Sequence, residues 1–414
     1  MAVTKSVLRN DIRVLSEEID HVRSISIGAW VEGGSRREDH LTSGTAHFIE
    51  HMLFKGTERR SAFDIASAVD SVGGVMNAAT GKELTSFYIK IPDYHIEMAV
   101  DLLADIFTGS RFAEEEIDRE RSVILQEIRM VEDTPDDHIH DFFDALFWKG
   151  GSLGLPILGT RESVESFCRD DLFGSYRCHY GGGNLVLTAA GNLGHDRFVE
   201  LVRKSFGSAA GRPASGSAQI PAAMPGRAVL RKELEQAHLI VGAPAPSATS
   251  PERHAGFLLN AVLGGSMSSR LFQEIREKRG LAYDVGSYLS PYRDAGMFGV
   301  YAGTDGARVR EVLGLIREGL ERISAELLTA KELKSAKELL KGNFLLGMES
   351  TDHRMTSLAK NELYFGRQMT PEEIIERIDA VGREEIRELA ARMFRPETLT
   401  VAAIGPVSEE DLVF

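Results

Sequence analysis

The chain has 414 residues, with 48 Lys and Arg against 62 Asp and Glu, 43% hydrophobic and 27% charged. That composition excludes a disordered tail, a collagenous chain and a disulfide scaffold, and the length suits two or three domains that each bury a core. A net charge of −14 and a pI near 5.4 disfavour nonspecific contact with nucleic acid or anionic lipid, leaving basic or neutral ligands as the easier partners.

The first residues, MAVTKSVLRNDIRVLSEEID, contain no apolar signal region, and no window approaches the roughly 18 uninterrupted apolar residues of a membrane span. Two cysteines, Cys168 and Cys178, fit a reducing compartment, so a soluble cytoplasmic protein is expected. IRVLSEE and SISIGAWVEGG alternate as strands do. TSGTAHFIEHMLFKGT then predicts a helix from about Thr45 to Lys55, with Ser43 or Thr45 as cap and Gly56 as stop. The strand ELTSFYIKIP leads into a helical stretch, YHIEMAVDLLADIFTGS, and a long charged helix, AEEEIDRERSVILQEIRMVED; NLVLTAAG reads as a further strand.

At residues 208–227 Ala, Gly, Ser and Pro replace these patterns, as in a linker. Beyond it the order recurs, at an offset of roughly 210 to 216 positions: AHLIVGAP and GMFGVYAGTD as strands, RVREVLGLIREGLERIS and TAKELKSAKELLKGNFLLGM as helices, and LTVAAIG as a last strand. The expected fold is therefore α+β. Two duplicated domains, 1–207 and 228–414, each carry a mostly antiparallel sheet covered by helices.

The Thr45 helix holds the first candidate site. Ala46, Ile49, Met52 and Leu53 make an apolar stripe, while His47, Glu50 and His51 share another face. Histidines one turn apart can reach a single cation, and the order His-x-x-Glu-His is the inverzincin signature. Two imidazoles leave a tetrahedral zinc site short of one protein ligand and an open position for water. Candidates for that ligand are Glu120 and Glu127, which fall within the arc of the long helix that carries Ile117, Ile124, Ile128 and Val131. Carboxylates on a buried stripe need a metal, or else an ion pair with Arg121 or Arg129.

The strings HFIEHMLFKGT, NAATGKELTSFY, ERSVILQEIRMVEDTPDD, LGLPILGT and GGSMSSRLFQEIREKRGLAYDVGSY together resemble the pitrilysin-like inverzincin metallopeptidases, the family of insulin-degrading enzyme and the mitochondrial processing peptidase. The resemblance implies that His47, His51 and Glu127 bind one zinc per chain, that Glu50 is the general base, and that Glu120 supports the site from the second shell of contacts. It further implies that Arg276 and Tyr283 bind the substrate carbonyl and that Asn77 and Ala78 hold a peptide added as a strand. Each domain would be an α/β roll, and the two domains one half of a clamshell whose larger relatives fuse four such domains. A homodimer would then bring Arg276 and Tyr283 of one subunit to the zinc of the other.

The expected activity is zinc-dependent endopeptidase action on peptides or unfolded segments in a closed chamber. The alternative is a non-catalytic peptide-binding or scaffold subunit of a hetero-oligomer, and a related subunit could replace the second copy. Other features are bland. His138 and His140 read as surface or structural groups, Cys178 beside His179 lacks a nucleophile's context, and GGGN at 181–184 precedes a strand, contrary to a phosphate loop.

Overall fold

The computed structural model describes residues 3–207, 209 and 221–413. Residues 208 and 210–220, most of the expected linker, lie outside them. The chain forms two compact units, neither continuous in sequence. The first takes the described residues up to Arg129, those from 155 to 209, and Leu346–Gln368; the second takes Met130–Gly154, those from 221 to Leu345, and the described residues from Met369 onwards.

The first unit is built on β1 (Val3–Val7), β2 (Arg13–Glu18), β3 (Ser24–Glu32), β4 (Val75–Thr80), β5 (Leu84–Pro92) and β6 (Leu185–Gly191). Their spatial order is β1-β2-β6-β3-β5-β4. The β2–β6 pair is parallel and the others are antiparallel. The second unit contains β7 (Gly226–Arg231), β8 (Ala237–Pro244), β9 (Ala282–Pro291), β10 (Gly296–Thr304) and β11 (Thr400–Gly405), ordered β7-β11-β8-β10-β9 with only β7–β11 parallel.

Around these sheets lie α1 (Thr45–Leu53), α2 (Ala62–Asp70), α3 (Ile96–Thr108), α4 (Glu114–Asp133), α5 (Pro135–Phe147), α6 (Arg161–Ser166), α7 (Arg169–His179) and α8 (His195–Phe206). The later helices are α9 (Arg253–Leu263), α10 (Val309–Ala325), α11 (Ala330–Gly347), α12 (Thr351–Phe365), α13 (Pro371–Ala380) and α14 (Arg383–Met393). Among the described residues no helix is long and apolar enough to cross a membrane.

Both sheets are covered on two faces. In β3, Ile25, Ile27, Ala29 and Val31 alternate towards a core shared with Phe48, Ile49 and Met52 of α1 and Leu102, Leu103 and Ile106 of α3. Full burial of one such aliphatic side chain is worth about 1.5–3 kcal/mol. Trp30 points to the other face, where Met355, Ala359 and Leu363 of α12 pack on Leu15 and Val186. The second sheet repeats the plan: Leu239 and Val241 face α9, α10 and α14, while Ile240, Ala402 and Ile404 face Ile139, Phe143 and Phe147 of α5. The second layer comes from α5 and α12, each supplied by the opposite half of the sequence.

Candidate metal centre

α1 places His47, Glu50 and His51 on one side because residues three and four apart are neighbours on a helix. Phe48, Ile49, Met52 and Leu53 are buried in the core and fix the helix's rotation. The helix begins at Gly44, in left-handed conformation (φ 92°), and neither Ser43 nor Thr45 caps it. Their hydroxyls bond instead to the carbonyls of Pro156 and Thr42. The first amides go to Glu38: Gly44 N–H donates to Oε2 at 2.8 Å and Ala46 N–H to Oε1 at 2.6 Å. Burial pushes the Glu38 carboxyl up to about 8, although both amides oppose the rise.

α4 brings Glu120 and Glu127 to the same place, two turns apart on a face whose Ile117, Ile124 and Ile128 are buried. His47 Nε2 lies 3.8 Å and His51 Nε2 3.7 Å from Glu127 Oε2. One potential ligand atom from each of these three residues lies within 4.8 Å of the others, the one such group of three among the described residues. Glu127 Oε2 is buried and meets no hydrogen-bond donor. Ligands held ~2.0–2.2 Å from a tetrahedral centre are separated by roughly 3.3–3.6 Å. The two histidine–carboxylate distances are close to that separation and the third lies within 4.8 Å, so the trio could close on a zinc ion, which would give an orphaned carboxylate oxygen the partner it needs.

His51 Nδ1 is 2.9 Å from Glu120 Oε2, and Lys55 Nζ is 2.7 Å from Glu120 Oε1. Glu120 is 4% exposed. The pairing of Glu120 with Arg121 is not found; Arg121 donates to the carbonyls of Val164 and Phe167. A carboxylate at Nδ1 requires the proton there, which leaves the Nε2 lone pair aimed at Glu127.

Burial alone would lower the His51 pKa, but the Glu120 hydrogen bond and the charges of Glu127, Glu120 and Glu50 outweigh it and raise it. Burial would raise Glu120, but His51 and Lys55 hold it below the usual carboxylate range. For His47, burial and then the His51 charge push the pKa down to about 4, so the ring is neutral and free to ligate at neutral pH.

Glu50 stands beside the trio without joining it. Its Oε2 accepts a hydrogen bond of 2.5 Å from Thr80 Oγ1 at the end of β4. Burial raises the Glu50 carboxyl, with Thr80 and His51 pulling the other way. β4 is bonded to β5 alone among the described strands, so its outer edge is open. Asn77 is exposed and Ala78 half-buried on that strand, and the Ala78 N–H donates to Asn77 Oδ1 at 2.8 Å. A groove of about 370 Å³ lined by Phe54, Ile65, Val69 and Met76 runs beside the strand's first residues.

Arg276 and Tyr283 belong to the second unit. The segment Phe272–Glu277 is a turn of π-helix, Gly280 ends it with φ 60°, and β9 follows. The Arg276 guanidinium lies 4.8 Å from the Phe272 ring and 5.0 Å from that of Tyr283, held by both faces. Tyr283 is 79% exposed. In this unit α9, between β8 and β9, takes the topological place of α1 between β3 and β4. Its sequence, RHAGFLLNAVL, has a single histidine and no carboxylate. Sequence reasoning missed Glu38, Lys55 and Thr80. Only Lys55 carried a signal, one turn beyond His51.

A family profile described as Insulinase (Peptidase family M16) matches residues 13–161, and one described as Peptidase M16 inactive domain matches residues 166–340. The chain is 41% identical to an uncharacterised zinc protease of Streptomyces coelicolor, over 99% of this chain and 90% of that one. It is 40% identical to the uncharacterised zinc protease YmxG of Bacillus subtilis, over 98% of both. A crystal structure of a peptidase M16 inactive domain from Pseudomonas fluorescens superposes with a TM-score of 0.92 at 19% identity, covering 99% of each chain, a likeness of fold. Matched by these profiles along most of its length and by relatives along nearly all of it, the chain belongs to the insulinase family, peptidase family M16.

Proposed function

We infer that the protein is a zinc-dependent endopeptidase acting on peptides or unfolded segments. The observation that carries this reading is the convergence of His47, His51 and Glu127 on a point where Glu127 Oε2 has no other partner, with the Glu50 carboxylate alongside. The names of the Streptomyces and Bacillus relatives support zinc and proteolysis. Zinc held by these three side chains supplies Lewis acidity towards a water and a peptide carbonyl. Glu50 takes the proton of the attacking water on a carboxylate oxygen and hands it to the leaving nitrogen. Its burial-raised pKa suits both halves of that transfer. Glu120 and Lys55 orient His51.

Substrate enters as a strand along the open edge of β4, which reads backbone more than side chain and selects extended segments. Asn77 and Ala78 lie on that edge, and an incoming carbonyl replaces the local bond from Ala78 N–H to Asn77 Oδ1. Arg276 and Tyr283 are strong donors for charge developing on the carbonyl oxygen. In this reading they come from a second copy of the chain, which also closes the chamber.

The test combines metal analysis of the purified protein with hydrolysis of quenched peptides. One zinc per chain, loss of cleavage with chelator and recovery with zinc are expected. Glu50→Gln should keep the metal and lose turnover. Stoichiometric zinc with no cleavage of any peptide pool would favour the scaffold reading instead. That reading gains from the inactive-domain profile over residues 166–340, but the bare helix α9 denies the second unit only a metal set of its own, not the Arg276–Tyr283 pair.

A further inference from the structure

We propose that Thr80 is a positioning residue that keeps Glu50 a proton carrier and holds it out of the metal's ligand set. The inference rests on the peptidase reading of the same site. α1 puts three groups with ligand chemistry on one side, since Glu50 is one residue from His51 and three from His47. A carboxylate so placed has the reach to bind the same ion. Yet the atoms that converge are those of His47, His51 and Glu127.

Thr80 explains the difference. Its Oγ1–H donates to Glu50 Oε2 at 2.5 Å, and its backbone N–H attracts the same carboxylate. A hydroxyl bonded to a charged acceptor is among the stronger hydrogen bonds available to a side chain. The strand geometry aims it there. Side chains alternate along β4, so Val75, Asn77 and Ala79 face outwards while Met76, Ala78 and Thr80 turn inwards.

The choice matters for the chemistry. Two histidines and two carboxylates would fill a tetrahedral ion, whereas a hydrolytic site needs three protein ligands and one open position. One hydroxyl on the substrate-binding strand thus separates a closed, structural ion site from an open, hydrolytic one. The strand that receives the peptide also fixes the base.

The test uses Thr80→Val, which keeps the shape and removes the donor, and Thr80→Ser, which restores it. In the zinc-loaded protein Thr80→Val should lower kcat about ten- to a hundredfold with KM within about twofold, and Thr80→Ser should return most of the rate. In cobalt-substituted protein the visible absorption of Thr80→Val should change in position and intensity as the Glu50 carboxylate joins the ion, and that of Thr80→Ser should match the unmodified chain. The spectral comparison needs no turnover. A protein that cleaves nothing would therefore sink the peptidase reading while the spectra still judged Thr80. An unchanged cobalt spectrum in Thr80→Val, or an unchanged kcat, overturns the proposal.

Discussion

At the scale of single residues, the site depends on which proton each side chain carries. Glu120 holds the Nδ1 proton of His51 and is itself held by Lys55. Removing such an outer partner costs metal affinity about 10- to 100-fold, because the ring is freed to rotate and its ligating nitrogen loses basicity. Glu120→Ala should therefore bind zinc that much more weakly in competition with a chromophoric chelator, and Glu50→Gln should not. Equal losses in both would place Glu50 among the ligands. The histidine pair and Glu50 were legible from spacing, and Glu120 and Glu127 from their position on an apolar stripe. Thr80 and Glu38 were not, since each reaches its partner from another element, where no periodicity reports it; Lys55 stood one turn beyond His51 but past the end of the helix.

At the scale of elements, α1 is anchored from outside itself. Its cap is Gly44, so the carboxylate of Glu38 does the work of a capping side chain, and Glu38→Ala should lower stability by about 1–2 kcal/mol, read in thermal or urea unfolding. The pH dependence has a definite sign. Burial raises the folded pKa of Glu38 to about 8 from its ordinary 4.5, so between those values the folded chain holds a proton that the unfolded chain has lost. Stability then falls as pH rises through that window. Wild type should lose ground to Glu38→Gln from pH 4.5 to 8; a constant difference would show that the two amide donors keep the carboxyl ionised. The strands and the long helix α4 were legible because alternation and 3.6-residue periodicity survive in them. α12 was not. It presents Met355, Ala359 and Leu363 to one sheet but also spends Thr351, Asp352 and Glu362 on hydrogen bonds and ion pairs with Ser26, Lys90 and Lys5, which blurs its apolar stripe.

At the scale of the whole molecule, duplication and exchange of helices go together. The helix that covers the second face of each sheet comes from the opposite half of the sequence, and the central strand of each sheet carries a glycine beneath it. A Cβ at Gly28 would lie 3.0 Å from Met355 Sδ of α12, and one at Gly242 would lie 2.3 Å from Phe143 Cζ of α5. Phe143 is fully buried, so Gly242→Ala should cost about 1–3 kcal/mol by overpacking, measured as a lowered Tm. The same plan sets what one chain can do alone. Among the described residues it holds one group of three candidate metal ligands, in the first unit, and one Arg276–Tyr283 pair, in the second; in the function proposed above, a closed two-fold dimer would make each copy supply what the other's metal site needs. Glu50→Gln and Tyr283→Phe proteins should each be nearly inactive, and mixing them under conditions that exchange subunits should restore activity. A mixed dimer would contain one site with both lesions and one with neither, so recovery should approach half the wild-type rate per mixed dimer. Without exchange the mixture should stay inactive, and proven mixed dimers that also stay inactive would mean that each chain completes its own site.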